Sequence, residues 1–387
     1  MLHTPAQPLR FGFLPCTSAI ASKNYYAVKG SASSSLVAVA SRSAERAAAW
    51  AAARGELGVA VHGSYAALLA DARVDAVYMP LPTSQHGEWV AAAAAAGKHI
   101  ILEKPAARNA GELAAMAAAC ARAGVALMDG VMFQHHPRLP RMLAVAASGE
   151  LGALRRISSS FSFSGDSDFL ARNIRVSAAG DPLGCLGDLD WYSARMAQLF
   201  FGGLPATARA VAHARTAEGV PLDVTFTLTW PPLGGSGGGD DAAAAAAATA
   251  AAAERVAVCD CSFLTAFRQT FELAGSAGTL ACADFVIPRS SGAGSRSAFT
   301  VTTGAGLADV HRTVTDTVRT EEILDACQEA AMFEAFSRAV LARSGAAAEW
   351  TALMLGTQAI IDACMASIDT AGAAVPVVAP AALLGRA

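Results

Sequence analysis

Glu103-Lys104-Pro105 follows the apolar run His99-Ile-Ile-Leu102 directly. The charged pair is therefore expected at the carboxyl end of a strand, where open α/β sheets bind their ligands. Leu81-Pro-Thr-Ser-Gln-His86 follows the preceding apolar run in the same way. Further on, Gly184-Cys-Leu-Gly187-Asp188-Leu-Asp190-Trp191-Tyr192 has helical character, and Asp188 and Tyr192, four apart, share one face of such a helix. Each stretch alone has a plain structural reading: a solvated strand-end charge pair, or Asp188 as a helix N-cap. Together they describe a ligand site at one edge of a sheet.

The elements that must position these residues follow from the apolar pattern. Arg10 to Cys16, Leu36 to Ala40, Asp75 to Met79, His99 to Leu102 and Val125 to Met128 are short, continuous apolar runs separated by helix-compatible stretches. Two of those stretches are followed by Gly97 and Gly124, placed as helix-terminating glycines. Strands of this kind alternating with helices argue for a parallel sheet covered on both faces. The expected fold is thus an N-terminal Rossmann-type doubly wound domain over 8–132. Beyond about residue 150 the runs lengthen and turn rich in Ser, Thr, Val and Phe: Leu154 to Ser164, Thr207 to Ala214, Asp223 to Trp230, Arg255 to Phe263, Thr270 to Ala274 and Thr279 to Ile287. Threonine on alternate positions of Val224–Trp230 marks a sheet with one wet face. A predominantly antiparallel α+β domain over 133–387 is expected, closed by helices at about Glu322 to Ser344 and Glu349 to Thr370. A Gly- and Ala-rich insertion over 232–253 interrupts it.

The ordered set Ala40-Ser-Arg-Ser43, His62-Gly-Ser-Tyr65, Pro80 to His86, Gly97 to Pro105, Phe161-Ser-Phe-Ser-Gly165 and Ala274 to Leu280 resembles the Gfo/Idh/MocA oxidoreductase family, in its dimeric dihydrodiol dehydrogenase and NADP-dependent D-xylose dehydrogenase branch. The resemblance implies an NAD(P)-dependent dehydrogenase acting on a sugar or a cyclic dihydrodiol. It places Lys104 beside the nicotinamide and Tyr192 opposite as acid–base, with Asp188 orienting either partner or a sugar hydroxyl. Phe133, Arg138 and Arg175 become candidate substrate contacts. Cofactor contacts are expected from Cys16, Thr17, Ser18, Ile20, Ser41, Arg42, Ser43, Leu81, His86, Glu103 and Lys104. A lysine ammonium about 4 Å from a phenol, at an effective dielectric of ~20, favours the phenolate by at most ~4 kcal/mol, so Tyr192 is expected to titrate closer to working pH than a free tyrosine. Pairing of two copies through the C-terminal sheet is expected by the same analogy.

The phosphate-binding turn departs from the G-x-G-x-x-G pattern. The chain reads Pro15-Cys-Thr-Ser-Ala-Ile-Ala21, with Pro15, Thr17 and Ala21 at the glycine positions. Pro15 removes an amide donor and fixes φ, while the following helix N-terminus still offers amides to an anion. At the end of the second strand, where an NAD enzyme usually has Asp or Glu for the ribose hydroxyl, the chain has Ser41-Arg42-Ser43. A carboxylate would repel a 2′-phosphate, whereas Arg42 can pair with one, so NADP is expected in preference to NAD. Arg42 as a solvated charge and Ser43 as an N-cap is the plain alternative.

Composition bounds the rest. The chain has 387 residues and a formal net charge of -3, which gives no electrostatic reason for a nucleic-acid or membrane partner. The first strand begins close to Met1 and the alanine runs are short or weakly hydrophobic, so a cytoplasmic location without signal or spanning segment is expected. Eight cysteines without a CxxC pair fit reduced thiols and no metal site. Two function classes remain open: an active NADP-dependent dehydrogenase, or a catalytically weak binding or scaffold relative with a degenerate phosphate loop.

Overall fold

A computed structural model describes residues 7–232, 253–307 and 314–379. Nearly all of the expected insertion lies outside the described residues. Six parallel strands, β1 (Leu9–Phe13), β2 (Ser34–Ala40), β3 (Ala60–His62), β4 (Ala76–Met79), β5 (His99–Leu102) and β6 (Leu127–Asp129), form the first sheet in the order β3-β2-β1-β4-β5-β6. The order reverses at β1 and β4, which opens a crevice beyond their carboxyl ends. Nearly every residue of β4 and β5 is buried, as strands covered on both faces require. The helix Ala110–Ala123 is capped by Asn109, which accepts from Glu112 N at 2.9 Å, and ends at Gly124 with φ 67°. β3, three residues long, carries too little apolar pattern to be read from sequence.

The second sheet has nine strands: β7 (Leu154–Ser162), β8 (Thr207–Arg215), β9 (Pro221–Trp230), β10 (Arg255–Ser262), β11 (Arg268–Gly275), β12 (Gly278–Cys282), β13 (Arg296–Leu307), β14 (Val314–Leu324) and β15 (Val375–Pro376), ordered β14-β13-β12-β11-β7-β10-β9-β8-β15. Among the described residues of this sheet only the β7–β10 pair is parallel. On β9, Val224, Phe226, Leu228 and Trp230 turn inward, and the threonines between them face the open side. The β13–β14 hairpin corrects two expectations. The strand foreseen over Thr279 to Ile287 stops at Cys282, and Glu322 lies in β14 rather than in a helix. β14 is an edge strand, exposed from Asp316 to Thr320 with Ile323 buried near its end, so its described residues write no readable apolar period.

The chain then returns to the first sheet. The helix Gln328–Leu341 sets Phe333 against Phe11 and Tyr78, with ring centroids 5.1 and 5.6 Å apart. The helix Ala346–Asp369 is long and apolar enough to cross a membrane, yet 67% of its apolar window is buried within the protein. Ser367 near its end donates to Ala373 O and accepts from the β8 amide Ala210 N.

Candidate active site

β5 ends at Leu102, leaving Glu103 and Lys104 at the crevice. The helix Gly184–Asp188 approaches from the second domain closely enough that a Cβ on Gly187 would lie 2.5 Å from Leu183 Cβ and 3.1 Å from Pro105 Cγ. Glycine is what permits this approach, and it brings Asp188 to Lys104. Lys104 Nζ donates to Asp188 Oδ1 at 2.7 Å and to Asp188 O at 2.5 Å. Arg175 Nε lies 2.9 Å from the same carboxylate oxygen. Burial opposes ionisation of Asp188, but the two cations prevail and hold its carboxyl well below the usual range. Charge-assisted hydrogen bonds of this kind favour the ionised form.

Contrary to expectation, Asp188 and Tyr192 do not share one helix: the first helix ends at Asp188, Leu189 breaks the stretch, and Tyr192 lies in the next helix, Asp190–Phe201, with Lys104 Nζ 4.9 Å from its ring centroid. Among the described residues its hydroxyl donates only to Met132 Sδ, at 3.5 Å. This is a weak acceptor, which leaves the hydroxyl free to turn to a ligand. Burial, then Glu103 and Asp188, push the phenol's pKa well above its ordinary value. The expectation that Lys104 would bring Tyr192 toward working pH is corrected: Lys104 is bonded to Asp188, while burial, Glu103 and Asp188 push the phenol in the opposite direction.

These groups edge a cavity of about 580 Å³ that also takes in Ser18, Ile20, Lys23, Asn24, Leu81 and Glu103. Tyr78 donates to the Glu103 carboxylate and receives Asn24 Nδ2 at 2.5 Å. Burial raises the Glu103 pKa against the effect of that bond. Lys23 pairs with Glu329 at 2.6 Å. At the helix Ala19–Gly30, Ser18 Oγ accepts from Ala21 N at 3.0 Å. The amides of Leu14 and Cys16 are spent on Tyr78 O and Ala40 O. Those of Thr17, Ser18, Ala19 and Ile20 meet no protein acceptor among the described residues. A row of free amides at the start of a twelve-residue helix, facing the crevice, fits the pyrophosphate of a dinucleotide.

The structure brings together Ser18, Ile20, Leu81, Glu103, Lys104, Arg175, Asp188 and Tyr192. Thr17 is half-buried beside them. Other expected residues stand elsewhere. Cys16 is fully buried, and burial pushes its thiol up to about 11, so it offers no side chain to a ligand. His86 is buried between Leu81 O and Ala106 O, 2.9 and 3.0 Å away, and holds the loops rather than the ligand. Phe133 packs behind Tyr192, centroids 5.9 Å apart. Arg138 is withdrawn as a substrate contact, because its guanidinium is buried on Asp284 Oδ1 at 2.6 Å and on two backbone carbonyls. Ser41 is buried at the end of β2. Ser43 caps the helix Ala44–Ala52 and donates to Glu45 at 2.6 Å, leaving no proton for a phosphate.

Arg42 remains exposed at that corner, and Arg46, which sequence reading missed, is exposed one turn away. Burial raises the pKa of Tyr65, and both arginines are near enough to pull it back. Their i, i+4 spacing was the signal available. Asp181 was missed as well; it is buried at the cavity wall. So was an apolar wall of Phe161, Phe163, Phe169, Phe267, Ile174 and Ile287.

Residues 14–131 match the family model for oxidoreductases with an NAD-binding Rossmann fold, and residues 141–281 match the GFO/IDH/MocA C-terminal domain. The chain is 40% identical over 197 residues to D-xylose 1-dehydrogenase (NADP(+)) 2 of Haloferax volcanii, a match spanning 50% of this chain and 58% of that one. It is 34% identical over 235 residues to dTDP-3,4-didehydro-2,6-dideoxy-alpha-D-glucose 3-reductase of Streptomyces violaceoruber, covering 60% and 67% of the two chains. A crystal structure of a 3-ketoreductase from Actinomadura kijaniata in complex with NADP and TDP-benzene superposes with a TM-score of 0.76 at 25% identity, over 93% of this chain and 98% of that one. With both domains matched in order and the two sheets arranged as the sequence implied, the chain belongs to the Gfo/Idh/MocA oxidoreductase family.

Proposed function

We propose that the protein is an NADP-dependent oxidoreductase moving a hydride between nicotinamide and a hydroxyl-bearing carbon of a sugar or of a cyclic diol. The observation that carries this reading is the convergence of Lys104, Asp188, Arg175 and Tyr192 on the cavity that the free helix amides also face. When bound, the cofactor supplies or accepts the hydride. The free amides at Thr17 to Ile20 would take its pyrophosphate, and Arg42 with Arg46 its 2′-phosphate.

The protein's own part is proton transfer and charge stabilisation. Neutral Tyr192 has a proton to give to a carbonyl oxygen as that oxygen becomes an alcohol. The Lys104 ammonium lies close enough to stabilise the same oxygen while charge develops. Asp188 holds both Lys104 and Arg175 in place through one carboxylate. In the oxidative direction Tyr192 must first release its proton.

The apolar wall favours a substrate with a substantial apolar ring face over one that is polar all round. Phe161 stands 5.9 Å from the Tyr192 ring and 6.3 Å from Phe267, and Phe267 is 59% exposed at the mouth. This aromatic path would bury the body of a cyclic substrate whose oxygens meet the polar edge. Pairing of two copies is proposed on the open face of the second sheet, where Val211 lies beside Thr225.

The test is turnover with NADPH and cyclic α-hydroxyketones, and with NADP and the corresponding diols or D-xylose. Lys104→Met and Tyr192→Phe are expected to lower kcat by at least 100-fold each, non-additively, while NADPH affinity stays within threefold. Near-full activity in Tyr192→Phe would remove Tyr192 from the proton-transfer role.

A further inference from the structure

Asp181 is a carboxyl that the mechanism above leaves without a task. It is 3% exposed and lines the cavity with Arg175, Asp188, Lys104 and Tyr192. Its backbone N–H donates to Ile174 O at 3.1 Å and to Ser177 O at 2.9 Å, which fixes it to the turn that carries Arg175. Oδ1 accepts from Leu183 N at 3.3 Å. Among the described residues Oδ2 has no hydrogen-bond partner, yet it is not one of the fully buried, unpartnered oxygens, such as those of Asp190 and Asn24. It therefore retains surface, and in a residue this buried that surface opens on the cavity.

Among the described residues no cation pairs directly with this carboxyl; Lys104 and Arg175 act on it only from a distance. Lys104 and Arg175 both direct their nitrogens to Asp188, so Asp181 has no cation of its own. A carboxyl so placed gains most from a ligand hydroxyl, which an ionised carboxylate can accept from and a protonated one can donate to. The reacting oxygen must lie at Tyr192 and Lys104. Arg175, joined to Lys104 through Asp188, and Asp181 beside it mark a second oxygen position next to the first.

We propose that Asp181 is a substrate-positioning residue that binds the hydroxyl adjacent to the reacting carbon, so that the site selects substrates with two neighbouring oxygens over those with one. The assignment rests on the oxidoreductase reading of the cavity. A buried site built to hydrogen-bond a hydroxyl discriminates strongly against the analogue lacking it, because its polar group is then left unpaired.

The experiment compares trans-cyclohexane-1,2-diol with cyclohexanol, using NADP, in the wild type, Asp181→Ala and Asp181→Asn. Melting temperature and NADPH affinity are measured on all three proteins. The wild type is expected to favour the diol by at least 30-fold in kcat/KM. Asp181→Ala should lose at least tenfold on the diol, mainly through KM, and stay within twofold on cyclohexanol. Asp181→Asn, which keeps size and hydrogen-bonding capacity, should recover part of that loss. Equal losses on both alcohols, no loss on the diol, no wild-type preference, or NADPH binding without turnover of either alcohol overturns the assignment. A wild type that does not bind NADPH overturns the underlying oxidoreductase reading, and the assignment with it.

Discussion

Lys104 Nζ is bonded to Asp188 Oδ1 at 2.7 Å while lying 4.9 Å from the ring centroid of Tyr192. The carboxylate thus takes the lysine's charge that would otherwise favour the phenolate. The lysine positions and stabilises a ligand oxygen, and the tyrosine keeps its proton.

A pH dependence follows, with opposite sign for the two directions. The Tyr192 pKa is raised, chiefly by burial and then by Glu103 and Asp188. Reduction, which uses the protonated phenol, is expected to hold steady from pH 6 to 9. Oxidation, which needs the phenol deprotonated, should rise with pH over the same range, approaching tenfold per pH unit. Initial rates in both directions check this, and an oxidative rate that levels off at neutral pH would contradict a raised Tyr192.

Cofactor preference is expected to reside in Arg42 and Arg46 together. NADP should bind at least tenfold more tightly than NAD, about 1.4 kcal/mol. Arg42→Ala should remove most of that preference, and the double variant with Arg46→Ala all of it, with NAD affinity unchanged. Ser43→Ala should weaken the helix rather than the preference, since its hydroxyl is committed to the cap and to Glu45. Dissociation constants for both cofactors on each protein decide the point.

Arg138 is expected to matter for stability and not for substrate. Removing one partner of a buried, hydrogen-bonded ion pair costs about 3–5 kcal/mol, and Arg138 with Asp284 is such a pair. Arg138→Ala should therefore lower the melting temperature by several degrees or more, while KM per folded molecule changes little. A raised KM with unchanged stability would return Arg138 to the site.

How far the sequence could be read follows from what each residue responds to. The first sheet and the alternation in β9 were legible because burial on one or both faces writes a period into the chain. Lys104, Asp188 and Tyr192 stood out through motifs at a strand end and in one helical stretch, which the structure divides into two helices at Leu189 while still bringing all three residues to one cavity. Arg138 was misjudged because an arginine looks the same in sequence whether it meets a ligand or a partner 146 residues away, as Asp284 is. Asp181 was missed for a related reason. Its openness to the cavity depends on which neighbours Asp188 captures, and no local pattern carries that information. Edge strand β14 was missed because its residues from Asp316 to Thr320 are exposed and write no apolar period, whereas β13, which buries Ser297, Phe299 and Val301 on alternate positions, carried a period that went unread.

The most direct test of the account is a titration of the purified protein with NADPH, followed by nucleotide fluorescence. Saturable binding at one site per chain with a micromolar dissociation constant, at least tenfold weaker binding of NADH, and unchanged NADPH binding in Tyr192→Phe are expected. Absence of saturable NADPH binding up to millimolar concentration would contradict the oxidoreductase reading, and would mean that the free amides at Thr17 to Ile20 serve no dinucleotide.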